Sequence, residues 1–135
     1  MPTIARLLIK TALIWLILGL FLGVYLFSSL AGRLAVILLP VFYHMIILGW
    51  VTQLIFGVAY WFFPKYSKDH PRGYEKLIWI SYFALNSGLI LRAIGEPMAA
   101  LSNSQYSEPI LLLSILLQWF AALAFVINTW KRTEK

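Results

Sequence analysis

The chain contains no cysteine. That excludes disulfides, thiolate metal sites and covalent haem attachment through a Cys-x-x-Cys-His motif, and it leaves the compartment open. Acidic residues are scarce, five against eleven Lys and Arg in 135 residues, and charged residues make up only 12% of the chain. A soluble domain is about a quarter charged, so this chain has too little polar surface to cover a core in water. Only two histidines are present, His44 and His70. Strand alternation, internal repeats and low-complexity tracts are all missing. What the sequence has in quantity is apolar length: 61% of its residues are hydrophobic and the mean hydropathy is +0.83. A membrane is the solvent such a composition fits. The net charge of +6 does not point to nucleic acid, because the basic residues sit at segment ends, where membrane proteins place them.

Four apolar segments are readable, at 11–31, 34–63, 77–94 and 110–130. A spanning helix needs about 20 residues at 1.5 Å each. The sequence therefore predicts an all-α integral membrane protein, a four-helix transmembrane bundle forming a single domain over 1–135. The second segment exceeds that length, so it either tilts or starts its helix near Pro40. Two polar connections are expected, Pro64 to Lys76 and Glu96 to Pro109. The first segment follows basic Arg6 and Lys10 and ends at Ser29-Leu30-Ala31, like a signal peptide. Its apolar run is too long for one, and it reads as a retained helix.

Basic residues set the expected topology. Nine of them (Arg6, Lys10, Lys65, Lys68, Arg72, Lys76, Lys131, Arg132 and Lys135) fall on one side of a four-span chain, and the other side has Arg33. The positive-inside rule puts both termini in the cytoplasm, and the expected location is the cytoplasmic membrane of a bacterium or archaeon.

His44 opens the sharpest question, because an imidazole in hydrocarbon needs a partner. At 100° per residue, Leu48, Val51, Ile55, Val58 and Phe62 share its face. The opposite face carries Gly49, Gln53, Gly57 and Tyr60, which suits close helix packing. A smooth apolar wall under one nitrogen ligand suits a flat cofactor such as haem, with His44 as the metal ligand and Leu48, Val51 and Ile55 as wall. The plainer alternative is a histidine hydrogen-bonded to a neighbouring helix. Arg92, inside the third segment, is a functional candidate by default and could hold haem propionates. An i,i+4 pair with Glu96 is its structural alternative. Arg33 is a second propionate candidate or an ordinary interfacial flank. Met45 and Met98 could be soft axial ligands, with packing the better reading. Asn86, Ser87 and Gly88 read as helix-contact residues that meet Gln53. His70, roughly 20 helical residues or 30 Å from His44, reads as a solvated loop residue. The few carboxylates lie at segment ends, which argues against a small proton-coupled transporter.

The run from His44 through GVAYWFFPKYSKDHPRGYEKLIW resembles the second transmembrane helix and following turn of haem-copper oxidase subunit I and its nitric oxide reductase relatives. The matching positions are His44, Gly57, Tyr60, Trp61 and Pro64, and the likeness spans the first two-thirds of the chain. It implies that His44 is an axial ligand of a low-spin b-type haem. The departures are equally informative. The family's second haem ligand comes from a late helix that has no counterpart here, its copper site needs three more histidines, and its catalytic tyrosine motif is missing. The resemblance therefore implies electron transfer, or redox or gas sensing, without oxygen or nitric oxide reduction by this chain alone. A second copy of the chain, a larger respiratory complex or Met98 would complete the haem ligation. A haem-free accessory subunit is the alternative function.

Overall fold

A computed structural model describes residues 1–68, 71–102 and 105–134. Five α-helices and one π-helical segment make up four long rods: α1 (Thr3–Leu26), a composite rod of α2 (Leu34–His44), the π segment (Met45–Thr52) and α3 (Gln53–Phe62), then α4 (Glu75–Leu101) and α5 (Ser107–Thr133). All four rods are long and apolar enough to cross a membrane. Among the described residues there is no strand.

The rods differ from the expected segments at their ends. Helix α1 starts at Thr3, eight residues before the apolar run, and its first turns carry exposed Arg6 and Lys10. Tertiary packing explains this: Ile4, Ala5 and Leu8 are buried against Tyr60, Ile78 and Phe125. It stops at Leu26 rather than Ala31. There the Ser28 hydroxyl donates to the Tyr25 carbonyl at 2.6 Å, a local bond that competes with the helical ladder. Helix α4 runs through Pro97 to Leu101 and α5 begins at Ser107, so most of the expected polar connection is helical. Pro97 removes one ladder donor, yet Gly95 is packed against Ile110 and Leu111 of α5.

Helices α4 and α5 form a close antiparallel pair. A Cβ on Gly88 would lie 2.9 Å from Gln118 Cγ and 3.0 Å from the Ser114 carbonyl oxygen, so the glycine permits the approach. Two hydroxyls bond across it, Ser81 to the Ala121 carbonyl at 2.8 Å and Ser114 to the Gly88 carbonyl at 2.7 Å. The composite rod packs on α1 through α3 and the π segment, and on α4 through α2. On α1, Gly19 faces Met45 and Ile46 and Gly23 faces Phe42. This pair of glycines, four apart, is a helix-contact signal that the sequence reading passed over.

The face of Gly49, Gln53, Gly57 and Tyr60 is buried, as the spacing predicts. Gln53 does not meet Asn86. Its amide donates to the Leu8 carbonyl at 3.4 Å, while Asn86 accepts from Trp15 Nε1 at 2.8 Å and donates to the Tyr82 carbonyl at 2.9 Å. Gly88 is buried in a helix contact, but Ser87 is exposed.

At the end of the bundle that carries both termini, Arg132 is fully buried. Its Nε donates to the Pro64 carbonyl at 3.0 Å, and its Nη2 donates to the carbonyls of Tyr60 at 3.0 Å and Phe63 at 2.7 Å. Tyr60 lies in the last turn of α3, whose carbonyls lack helical donors, and Phe63 and Pro64 follow it. The guanidinium also lies 5.5 Å from the centre of the Tyr60 ring.

Candidate functional site

The other end of the bundle holds a cluster of three ionisable side chains. His44, the last residue of α2, meets Glu96 of α4, with Nδ1 3.1 Å from Oε1. Arg92, one turn before Glu96, donates from Nη1 to the same oxygen at 3.1 Å. The expected i,i+4 pair therefore exists, and it reaches across to His44. The cluster depends on α4 continuing beyond Ile94, which the apolar run did not reveal. Glu96 is thus a site residue that the sequence placed in a connection. The one signal for it was its i,i+4 spacing from Arg92.

A second contact fixes the imidazole. Nδ1 lies 2.7 Å from the Pro40 carbonyl oxygen, one turn back on α2. A carbonyl only accepts, so Nδ1 carries the proton and, in a neutral ring, the lone pair lies on Nε2. Among the described residues Nε2 has no hydrogen-bond partner, and the side chain is 30% exposed. Arg92 and Glu96 are more enclosed, at 14% and 11% exposure. Arg92 Nε and Glu96 Oε2 are buried without a hydrogen-bond partner among the described residues.

The π segment begins immediately after His44. Here each backbone bond spans one more residue than in an α-helix, and π turns recur at functional sites. Thr52 supports it by donating its hydroxyl to the Ile47 carbonyl, five residues back, at 2.8 Å. Gly49 lets the segment sit on Trp15: a Cβ there would be 2.7 Å from Trp15 Cγ. The wider turn also breaks the single wall expected from constant 100° steps. Leu48 and Met45 pack inward against the Trp15, Leu85, Leu89 and Ala121 cluster, while Val51 and Ile55 are exposed on the outer surface. The structure thus joins His44 to Arg92 and Glu96, and it separates Leu48 from Val51 and Ile55. Arg33 is exposed at the start of α2 and makes no ion pair among the described residues. His70 lies outside the described residues.

As a haem site the arrangement fits on one side. It offers one free imidazole nitrogen, and its Nδ1–H is oriented by a carbonyl and a carboxylate, as metal-bound histidines usually are. Arg92 retains an unused Nε–H, although Glu96 already occupies its Nη1. Nothing among the described residues offers a second nitrogen ligand, and no group of three metal-ligating side chains occurs there. Comparison with known proteins finds no match for the chain among family models, curated proteins or solved structures.

Proposed function

We propose that this chain is a membrane b-type haem protein, a short relative of the low-spin-haem end of haem-copper oxidase subunit I, that works in electron transfer or in redox or gas sensing. The supporting observation is the Nδ1–H tautomer of His44 set by the Pro40 carbonyl, which presents the Nε2 lone pair with no competing partner among the described residues. Haem at that position would supply one-electron exchange and, if left five-coordinate, an open position for a diatomic gas. His44 would hold the iron, and Glu96 with the Pro40 carbonyl would orient the ring. Arg92, and Arg33 at the rod's end, would serve the propionates. A second copy presenting its own His44 across a two-fold axis would supply the sixth ligand, with one haem for two chains. The basic end of the bundle faces the cytoplasm in this reading, by the positive-inside rule.

The visible spectrum of the protein purified in detergent, oxidised and then reduced with dithionite, tests the proposal. Sharp reduced α and β bands are expected, and they disappear in His44→Ala. A colourless protein expressed with ample haem, or a His44→Ala variant with the wild-type spectrum, overturns it. One observation favours a second reading, a haem-free accessory subunit: Pro40 and Glu96 both engage Nδ1, so His44 already ties α2 to α4 without any cofactor. Reporter fusions near Glu134 and at Lys65 check the orientation, and both should report cytoplasm.

A further inference from the structure

The composite rod carries a groove on its outer surface, of about 420 Å³, lined by Leu54, Ile55, Val58, Ala59, Phe62 and Phe63. It is apolar throughout and runs along the rod for roughly 14 Å at 1.5 Å per residue. At its lower end it meets a cleft of about 340 Å³ that shares Phe63 and adds Trp61, Pro64, Lys65, Pro71 and Arg72. A neighbouring cleft adds Lys68 beside Lys65. Among the described residues none of these three cations is ion-paired. The walls of the cleft are also held in place from behind. Arg132 bonds the Pro64 carbonyl, Asn128 donates to the Arg72 carbonyl at 3.2 Å, and Tyr66 N donates to the Pro71 carbonyl at 3.0 Å.

We infer that this continuous surface is a binding site for an anionic phospholipid. One acyl chain would lie in the groove over Ile55 and Val58, and the headgroup phosphate would sit between Lys65 and Arg72. The match is one of charge and of depth. The apolar groove ends where the rod leaves hydrocarbon at Pro64, and the cations stand at that boundary with Trp61, an interfacial aromatic. Guanidinium and ammonium groups both suit phosphate oxygens, the first by paired hydrogen bonds. A zwitterionic lipid would fill the groove equally well, but its choline would meet the cations. This inference does not depend on haem.

Native mass spectrometry of the detergent-purified protein, titrated with dioleoyl-phosphatidylglycerol, dioleoyl-phosphatidylcholine or inorganic phosphate, tests the site. Retention of phosphatidylglycerol at a clearly lower concentration than phosphatidylcholine is expected. The double substitution Lys65→Ala, Arg72→Ala should weaken phosphatidylglycerol binding by roughly 30-fold, at one anionic-lipid contact per cation. Arg6→Ala, which removes a charge outside the cleft, should leave binding unchanged. Val58→Trp should weaken it with the cations intact, by filling the groove. Equal retention of the two lipids overturns the inference, as does a double variant that keeps the wild-type preference. Inorganic phosphate that displaces the lipid at comparable concentration also overturns it, because the site is then a small-anion site to which the groove contributes nothing.

Discussion

Two arginines sit inside this bundle, near opposite ends, and their surroundings differ. Arg132 is fully buried and donates to carbonyl oxygens of Pro64, Tyr60 and Phe63, with Tyr60 beneath it. Its partners are backbone atoms that lack donors of their own, so charge and helix end satisfy one another. Arg92 is a little more open and gives one hydrogen bond to Glu96, while among the described residues its Nε and the second oxygen of Glu96 remain without partners. Buried polar groups are normally paired, and a half-satisfied set calls for an explanation. The contrast separates a closed structural arginine from one in a cluster with bonding capacity to spare.

The contrast makes an ordered set of expectations. Arg132→Ala should have the largest effect on stability, about 3–5 kcal/mol, because it leaves several carbonyls buried without a donor. Thermal unfolding in detergent would read this as a large fall in midpoint, and an unchanged midpoint would mean that Arg132 is not the closure of that end. Gly57→Leu should follow, at about 1–3 kcal/mol. The first carbon of the new side chain would meet Ile9 Cγ1 at 2.9 Å, Leu8 Cβ at 3.1 Å and the Ala5 carbonyl oxygen at 3.2 Å, and that backbone cannot step aside. Gly23→Ala makes the opposite case, since its Cβ meets only the outer edge of the Phe42 ring at 2.9 Å. Its cost should stay below about 1 kcal/mol, and equal losses at the two glycines would erase the distinction between rigid and yielding contacts.

At the other arginine, Glu96→Gln keeps the shape of the partner and removes its charge. The expected loss is roughly 1 kcal/mol, since a hydrogen bond survives in neutral form. A loss as large as that of Arg132→Ala would mean that the His44 cluster is as closed as the Arg132 end. His44→Ala, compared as haem-free protein, should also cost little, about 0.5–1 kcal/mol, the worth of one hydrogen bond on a partly exposed ring. In the haem reading, the same substitution should also remove the cofactor completely. A small change in unfolding between the haem-free proteins, together with total loss of colour, is the signature of a ligand rather than a brace.

Much of this architecture was legible in the sequence. Apolar length marked the rods, and the 100° step marked the buried face of Gly49, Gln53, Gly57 and Tyr60. The pairing of Arg92 with Glu96 followed from spacing four. The misread features have tertiary causes. Nothing in MIILGWVT announces a π turn, which exists because that stretch must seat on Trp15 while α2 keeps its contact with α4. Glu96 looked like loop because the apolar run had ended and Pro97 followed, but contacts with α5 and with His44 carry the helix onward. Arg132 counted as a topological flank, and its burial depends on a turn that returns Pro64 and Arg72 to it from 60 or more positions away. Local patterns do not carry such distances.

The π segment also bears on how such a chain tolerates length change. A π turn holds one residue more than an α turn, so the rod behaves as an α-helix with a surplus residue between Met45 and Thr52. Deleting any single residue in that stretch would let the ladder relax to α while shortening the rod by only about 1.5 Å, too little to matter for crossing a bilayer. The lower half would keep its grip on α1. The upper half would keep its orientation as well, because the wide turn is what absorbs the surplus residue, and His44 would stay opposite Glu96. What such a deletion would remove is the wide turn itself, and with it the seat of Gly49 on Trp15.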